Sequence, residues 1–139
     1  MAPAQLEKVF GTVLSTSSLK GDSVVNREGS DMGKIEEVMI DVENGNIAYV
    51  VVSFGGTFGL GEKLFAIPWQ TFNVDTLHKR LILNVRREVL EKAPGFDKDA
   101  WPNMADPAWA SDLHGYYGYT PDWIRALPHP SETLRKSVD

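Results

Sequence analysis

Asn44-Gly45-Asn46-Ile47-Ala48-Tyr49-Val50-Val51-Val52-Ser53-Phe54 is the stretch that decides the fold of this chain. From Ile47 to Phe54 only Ser53 is polar, the run is rich in β-branched residues, and glycines bound it on both sides. A short run of that composition reads as a strand buried on both faces, hence as a central strand. Asn44-Gly45 in front of it is a strong hairpin signal, because a type I′ turn needs positive φ at both central positions. The expected partner is Ile35 to Val42, with Val38, Ile40 and Val42 on one face and Glu37, Met39 and Asp41 on the other. Ile35 falls out of that phase, which a β-bulge near Glu36 explains.

Further out the same punctuation continues. Ser23 to Asn26 reads as a short first strand and Asn26-Arg27-Glu28-Gly29 as a turn, Gly29 being free to take positive φ. After the glycine loop Gly55 to Gly61, Lys63 to Trp69 alternates with Phe65, Ile67 and Trp69 on one side, and Pro68 ends regular pairing. Phe72 and Val74, a polar turn over Asp75 to Lys79, and Arg80 to Val85 with Leu81, Leu83 and Val85 on one face complete six strands. The spacing is that of a small all-β domain, an antiparallel barrel. Its boundaries are placed at 19–96, after a loosely ordered lead-in over 1–18 and before a Pro-rich aromatic extension over 97–139 that carries short helices.

The motifs Gly33-Lys34-Ile35-Glu36-Glu37-Val38-Met39-Ile40-Asp41, Ala48-Tyr49-Val50-Val51-Val52-Ser53-Phe54-Gly55-Gly56, Gly59-Leu60-Gly61-Glu62-Lys63 and Phe65-Ala66-Ile67-Pro68-Trp69, in that order, resemble a PRC-barrel domain. That family takes its name from the cytoplasmic barrel of the photosynthetic reaction-centre H subunit, and a similar barrel forms the C-terminal half of a ribosome-maturation factor. The resemblance spans Leu19 to Phe96. It implies a small barrel that binds other macromolecules, and it brings no catalytic residues. Neither a transmembrane helix nor a second barrel precedes the motifs here, so the expected type is the free-standing bacterial one.

Composition excludes much chemistry. The chain has 139 residues and no cysteine, so disulfides, thiolate metal sites and cysteine nucleophiles are absent. No apolar run approaches the ~20 residues of a membrane span, and Glu7 and Lys8 interrupt the one stretch suited to a signal h-region, so the expectation is a cytoplasmic protein. A net charge of −5 opposes general polyanion binding.

Each apparent chemical motif lacks a required residue. Gly56 to Gly61 has phosphate-loop spacing, but Glu62 stands where the lysine belongs and a strand follows. An EF-hand frame from Asp97 puts Pro102 at the glycine position and Ala108 at the final glutamate position. His78, His114 and His129 have no close ligand partner, and Ser53 has no nucleophile-elbow glycines. No catalytic residue, cofactor or metal is therefore assigned. Lys79, Arg80, Arg86 and Arg87 form the one basic concentration, read as solvated strand ends.

The extension is more informative. Half of the aromatics lie after Ala93: Phe96, Trp101, Trp109, Tyr116, Tyr117, Tyr119 and Trp123. A disordered tail would be poor in them. Asp106-Pro107 reads as an N-cap and N1 pair opening a helix that Gly115 ends, and Thr120-Pro121 opens another. The aromatics are expected first to cover the chain's own barrel. The candidate interaction surface comprises Trp101, Trp109, Tyr116, Tyr117, Tyr119 and Trp123, with Gly56, Gly59 and Gly61 of the glycine loop. The functional expectation is a non-enzymatic protein-interaction or adaptor module that forms a homodimer. An RNA-processing or ribosome-assembly accessory role is the alternative.

Overall fold

The computed structural model describes residues 13–55 and 63–120, and there the glycine-punctuated apolar runs are strands. One helical turn, α1 (Thr16–Leu19), precedes β1 (Ser23–Val25), β2 (Asp31–Asp41), β3 (Asn46–Phe54), β4 (Lys63–Pro68), β5 (Phe72–Asp75) and β6 (Arg80–Leu83). A 3-10 turn, Trp69–Thr71, joins β4 to β5, and helices α2 (Arg87–Glu91) and α3 (Pro107–Tyr117) follow. The strands form one sheet in the order β4-β3-β2-β1-β6-β5.

That order forces curvature. Laid flat, six strands would hold β4 and β5 about 24 Å apart. The chain from Pro68 to Phe72 spans at most about 14 Å. The sheet must therefore curl until its two ends meet at the 3-10 turn. Because the chain bends there without reversing, β4 and β5 share a sense, and β6 comes back parallel to β1, Val24 opposite Leu81. This ladder is the one departure, among the described strands, from the antiparallel pairing expected throughout.

The bulge expected near Glu36 is present: Ile35 pairs with Val52 and Glu37 with Val51, leaving Glu36 unpaired. A second irregularity follows, since Met39 faces Tyr49 and Ile40 faces Ile47. It changes the phase beyond Met39, so Val38 is buried but Ile40 and Val42 are exposed, which corrects the expected common face. The hairpin also differs from a type I′ turn. Gly45 has φ 72° while Asn44 does not have positive φ. Instead, Asp41 Oδ1 accepts from the backbone N–H groups of Glu43 at 3.2 Å and Asn44 at 3.4 Å, and Oδ2 from Asn44 Nδ2 at 2.8 Å. The carboxylate builds a longer loop and removes the need for a second left-handed residue.

β3 lies inside the sheet between β2 and β4, as its composition requires. Val50 and Val52 pair with Ile67 and Phe65 and face the same way, with Val24, Met32, Leu81 and Leu83 in the same core. Tyr49, Val51 and Ala66 alternate to the other face, where α3 packs against Tyr49 and β4. Its Ala110, Leu113, His114 and Tyr117 fall at i, i+3, i+4 and i+7 and are buried as one stripe. The barrel interior and this helix together explain why the run from Tyr49 to Val52 is apolar on both faces.

α3 starts where the sequence places it, with the Asp106 side chain accepting from Ala108 N at 3.1 Å. It ends later than Gly115. The buried stripe carries it through Tyr117, and Gly118 (φ 85°) closes it: Gly118 N donates to Gly115 O and Tyr119 N to His114 O. α2 was not expected; Arg86 and Arg87, read as a strand end, open this helix instead.

Candidate functional site

Where the barrel meets its extension, the β2–β3 hairpin tip, the 3-10 turn and α3 enclose an open cleft of about 380 Å³. Asp41, Gly45, Asn46, Ile47 and Ala48 supply one wall, Trp69 and Gln70 the second and His114 the third. Each arrives for a local reason. The turn hydrogen bonds hold Asp41 at the tip; three of its roughly four acceptor positions are used, so the carboxylate keeps capacity for a further donor. Trp69 packs against Phe72 with ring centroids 6.3 Å apart. Gln70 Nε2 donates to the Thr120 carbonyl at 3.1 Å, tying the end of the helical segment to the barrel.

His114 is buried. Its Nδ1 lies 2.8 Å from the Ala110 carbonyl, and because a carbonyl only accepts, Nδ1 carries a proton. Tyr49 meets both Trp109 and His114 edge-on, at 5.4 and 5.3 Å. His114 thus backs the helix wall of the cleft onto an aromatic cluster.

The surroundings carry one sign of charge. From Ile35 to Gly55 stand Glu36, Glu37, Asp41 and Glu43, and from Asp99 to Thr120 stand Asp99, Asp106 and Asp112, with neither Lys nor Arg in either stretch. Leu64 to Val74 has no charged residue. Among the described residues of these stretches only Glu37 pairs with a cation, Lys20, at 3.2 Å. All three walls are therefore acidic or neutral.

The residues singled out from sequence are dispersed. Trp101 is 42% exposed and packs edge-on against Phe96 at 5.1 Å. Tyr116 is partly exposed, its hydroxyl donating to the Val89 carbonyl. Trp109 is half-buried against the core and Tyr117 is buried, where desolvation and then the neighbouring Tyr116 push its phenol well above the usual tyrosine range. Tyr119 is exposed beside Thr120. Trp123, Gly56, Gly59 and Gly61 lie outside the described residues, as does the helix expected from Thr120-Pro121. Sequence reasoning missed Asp41, Asn46, Trp69, Gln70 and His114; the long stretches without Lys or Arg were the available signal.

The basic residues do not form one patch. Arg80 pairs with Asp75 at 2.9 Å, and Arg87 pairs with Glu91 at 3.4 Å and sits 5.1 Å over the Phe54 ring. Among the described residues no three His, Asp or Glu side chains are grouped to hold a metal, and no helix is long and apolar enough to cross a membrane.

A curled six-stranded sheet with a cleft at its rim defines a small β-barrel domain. The chain belongs to the PRC-barrel domain family, whose sequence model matches residues 11–90. No curated protein matches its sequence. Among solved structures it is similar to a Pseudomonas aeruginosa protein described as the 16S ribosomal RNA processing protein RimM, at 15% identity and a TM-score of 0.37. That match covers 54% of this chain and 45% of the other, so the alignment spans less than half of the RimM chain.

Proposed function

We propose that this PRC-barrel protein is a non-enzymatic interaction module that binds a protein partner at the junction of hairpin and extension. One observation carries the reading: Val42 is 84% and Ile40 46% exposed on the hairpin tip beside the cleft, an apolar display that the second β2–β3 irregularity creates. Apolar residues placed in solvent next to a concave site are what a contact surface requires. The aromatic positions Trp101, Tyr116 and Tyr119 extend the candidate surface, and a homodimer is one form the contact takes. RNA, the partner of a ribosome-assembly role, is less favoured, because Arg80 and Arg87 are engaged within the chain and the cleft is acidic.

Deleting the extension is the wrong test, since Phe96 and α3 belong to the packed structure. Single substitutions Val42→Glu and Tyr119→Glu change exposed side chains outside the core, and Trp101→Glu removes only the edge contact with Phe96. The expected result is that affinity capture from cells producing the protein, together with sedimentation mass, loses a partner or a dimer with at least one variant whose melting is unchanged. An identical partner set and mass for all three variants would overturn the reading.

A further inference from the structure

We propose that the cleft at the hairpin–extension junction receives an arginine side chain from a basic segment of the partner protein. This rests on the interaction reading above and names the chemistry of what binds. At about 380 Å³ the open cleft has room for one long side chain. Its lining includes three complementary residue types: Asp41, whose carboxylate has spare acceptor capacity, the amide residues Asn46 and Gln70, and Trp69. A guanidinium is planar, always charged, rich in donors and able to stack on an indole face, so it uses all three at once. An ammonium donates hydrogen bonds too, but it lacks the planar fork and the flat face that stacks on an indole.

The wider field agrees. With no Lys or Arg from Ile35 to Gly55, from Leu64 to Val74 or from Asp99 to Thr120, nothing on the walls competes with an incoming cation. Glu43 is exposed on the hairpin tip two residues from Asp41, where its charge favours the approach of a basic segment. The same charges oppose a phosphate backbone.

The test is an NMR titration of the isotope-labelled full chain with N-acetyl-arginine methylamide, with the lysine and norvaline analogues and a single-stranded RNA oligonucleotide as comparators. The expected result is saturable shifts of the Trp69 indole N–H and the Asn46 and Gln70 side-chain amides, strongest for arginine. Asp41→Asn keeps an Oδ1 acceptor for the turn amides while removing the charge, and should weaken the arginine probe about fivefold, the value of a partly exposed ion pair. Should Asp41→Asn disturb the hairpin, Gln70→Lys places a fixed cation in the cleft and should abolish the shifts. Equal shifts with norvaline, shifts spread evenly over Glu36, Glu43 and Asp112 without Trp69, or preferential RNA binding would each overturn the assignment. If Val42→Glu loses a captured partner while the arginine probe leaves the cleft unmoved, the interaction reading stands and the cleft's ligand is wrong. The reverse pattern separates them the other way.

Discussion

Gly33 offers the sharpest physical test of the sheet that carries the cleft. It sits in β2 with φ 106°, and a Cβ placed there would lie 2.1 Å from the Ser53 carbonyl oxygen, 3.0 Å from Val52 Cγ1 and 3.1 Å from the Ser53 carbonyl carbon. Two costs follow for Gly33→Ala. Holding a side chain at that φ costs about 1–2 kcal/mol. Restoring ordinary contact of about 3.4 Å would move the β3 backbone by more than 1 Å, next to the Lys34–Ser53 pair. That sacrifices at least one ladder hydrogen bond, worth ~1 kcal/mol, and loosens the packing around buried Val52 and Ile35. The total is about 3–5 kcal/mol, a large share of the roughly 5–15 kcal/mol that stabilises a domain. Gly29 is the internal control, with φ 83° and nothing within 4 Å of its added Cβ, so Gly29→Ala should cost only the backbone component, about 1 kcal/mol. In urea unfolding, Gly33→Ala should therefore have a midpoint roughly 1 M or more below that of Gly29→Ala, at equal m. Coincident midpoints would refute the close approach of β2 and β3 at the Lys34–Ser53 pair.

Two further outcomes are expected. Asp75 is partly desolvated, which raises its pKa, but hydrogen bonds from His78 and Arg80, the His78 backbone N–H and the charge of His78 outweigh this and lower it from 3.8 to about 2. On acidification the unfolded state binds the proton first, so the stability Asp75 confers is full above about pH 4 and is lost as pH falls toward 2. Discounted for solvent screening, it is on the order of 1 kcal/mol, and urea unfolding of Asp75→Asn at pH 6, 4 and 2 should lack that part of the acid dependence; parallel curves for both proteins would contradict it. At Gly95, an added Cβ would lie 2.9 Å from Phe65 Cε2 and 3.0 Å from the Leu64 carbonyl, so Gly95→Val should lift Phe96 off β4. Hydrogen exchange should then show the Leu64 and Phe96 amides losing protection ahead of β3, and unchanged protection would count against the edge cover.

What the sequence revealed depended on how local the cause was. Glycines, β-branched runs and period-two alternation identified the strands, the bulge at Glu36 and the central place of Tyr49 to Val52, because each reports its own backbone or burial. The hairpin turn failed because Asp41, read as an ordinary outward strand residue, closes the loop with its carboxylate. Ile40 and Val42 were placed on one face with Val38, which is buried while they are exposed, because the second β2–β3 irregularity depends on the partner strand. The end of α3 was misplaced because Gly115 and Gly118 are equivalent locally, and only the burial of Tyr117 selects the later one. The cleft was invisible for the same reason: Asp41, Trp69 and His114 are far apart in sequence and meet only through the curl.

The position of that cleft also bears on where the functional unit ends. The family's sequence model stops at residue 90, yet the outer face of β3 and β4 is covered by Ala110, Leu113 and Tyr117, and the β4 edge is paired by Phe96, with Leu64 N to Phe96 O at 2.9 Å and Phe96 N to Leu64 O at 2.8 Å. An uncovered edge strand with an apolar face would invite pairing with other chains. The extension removes that liability, and in doing so places His114 and Thr120 against the 3-10 turn. The helix that covers the barrel's outer face thus also builds its third cleft wall, through His114. On the proposed reading, selectivity for a partner belongs to barrel and extension jointly, because His114 of α3 supplies the third cleft wall.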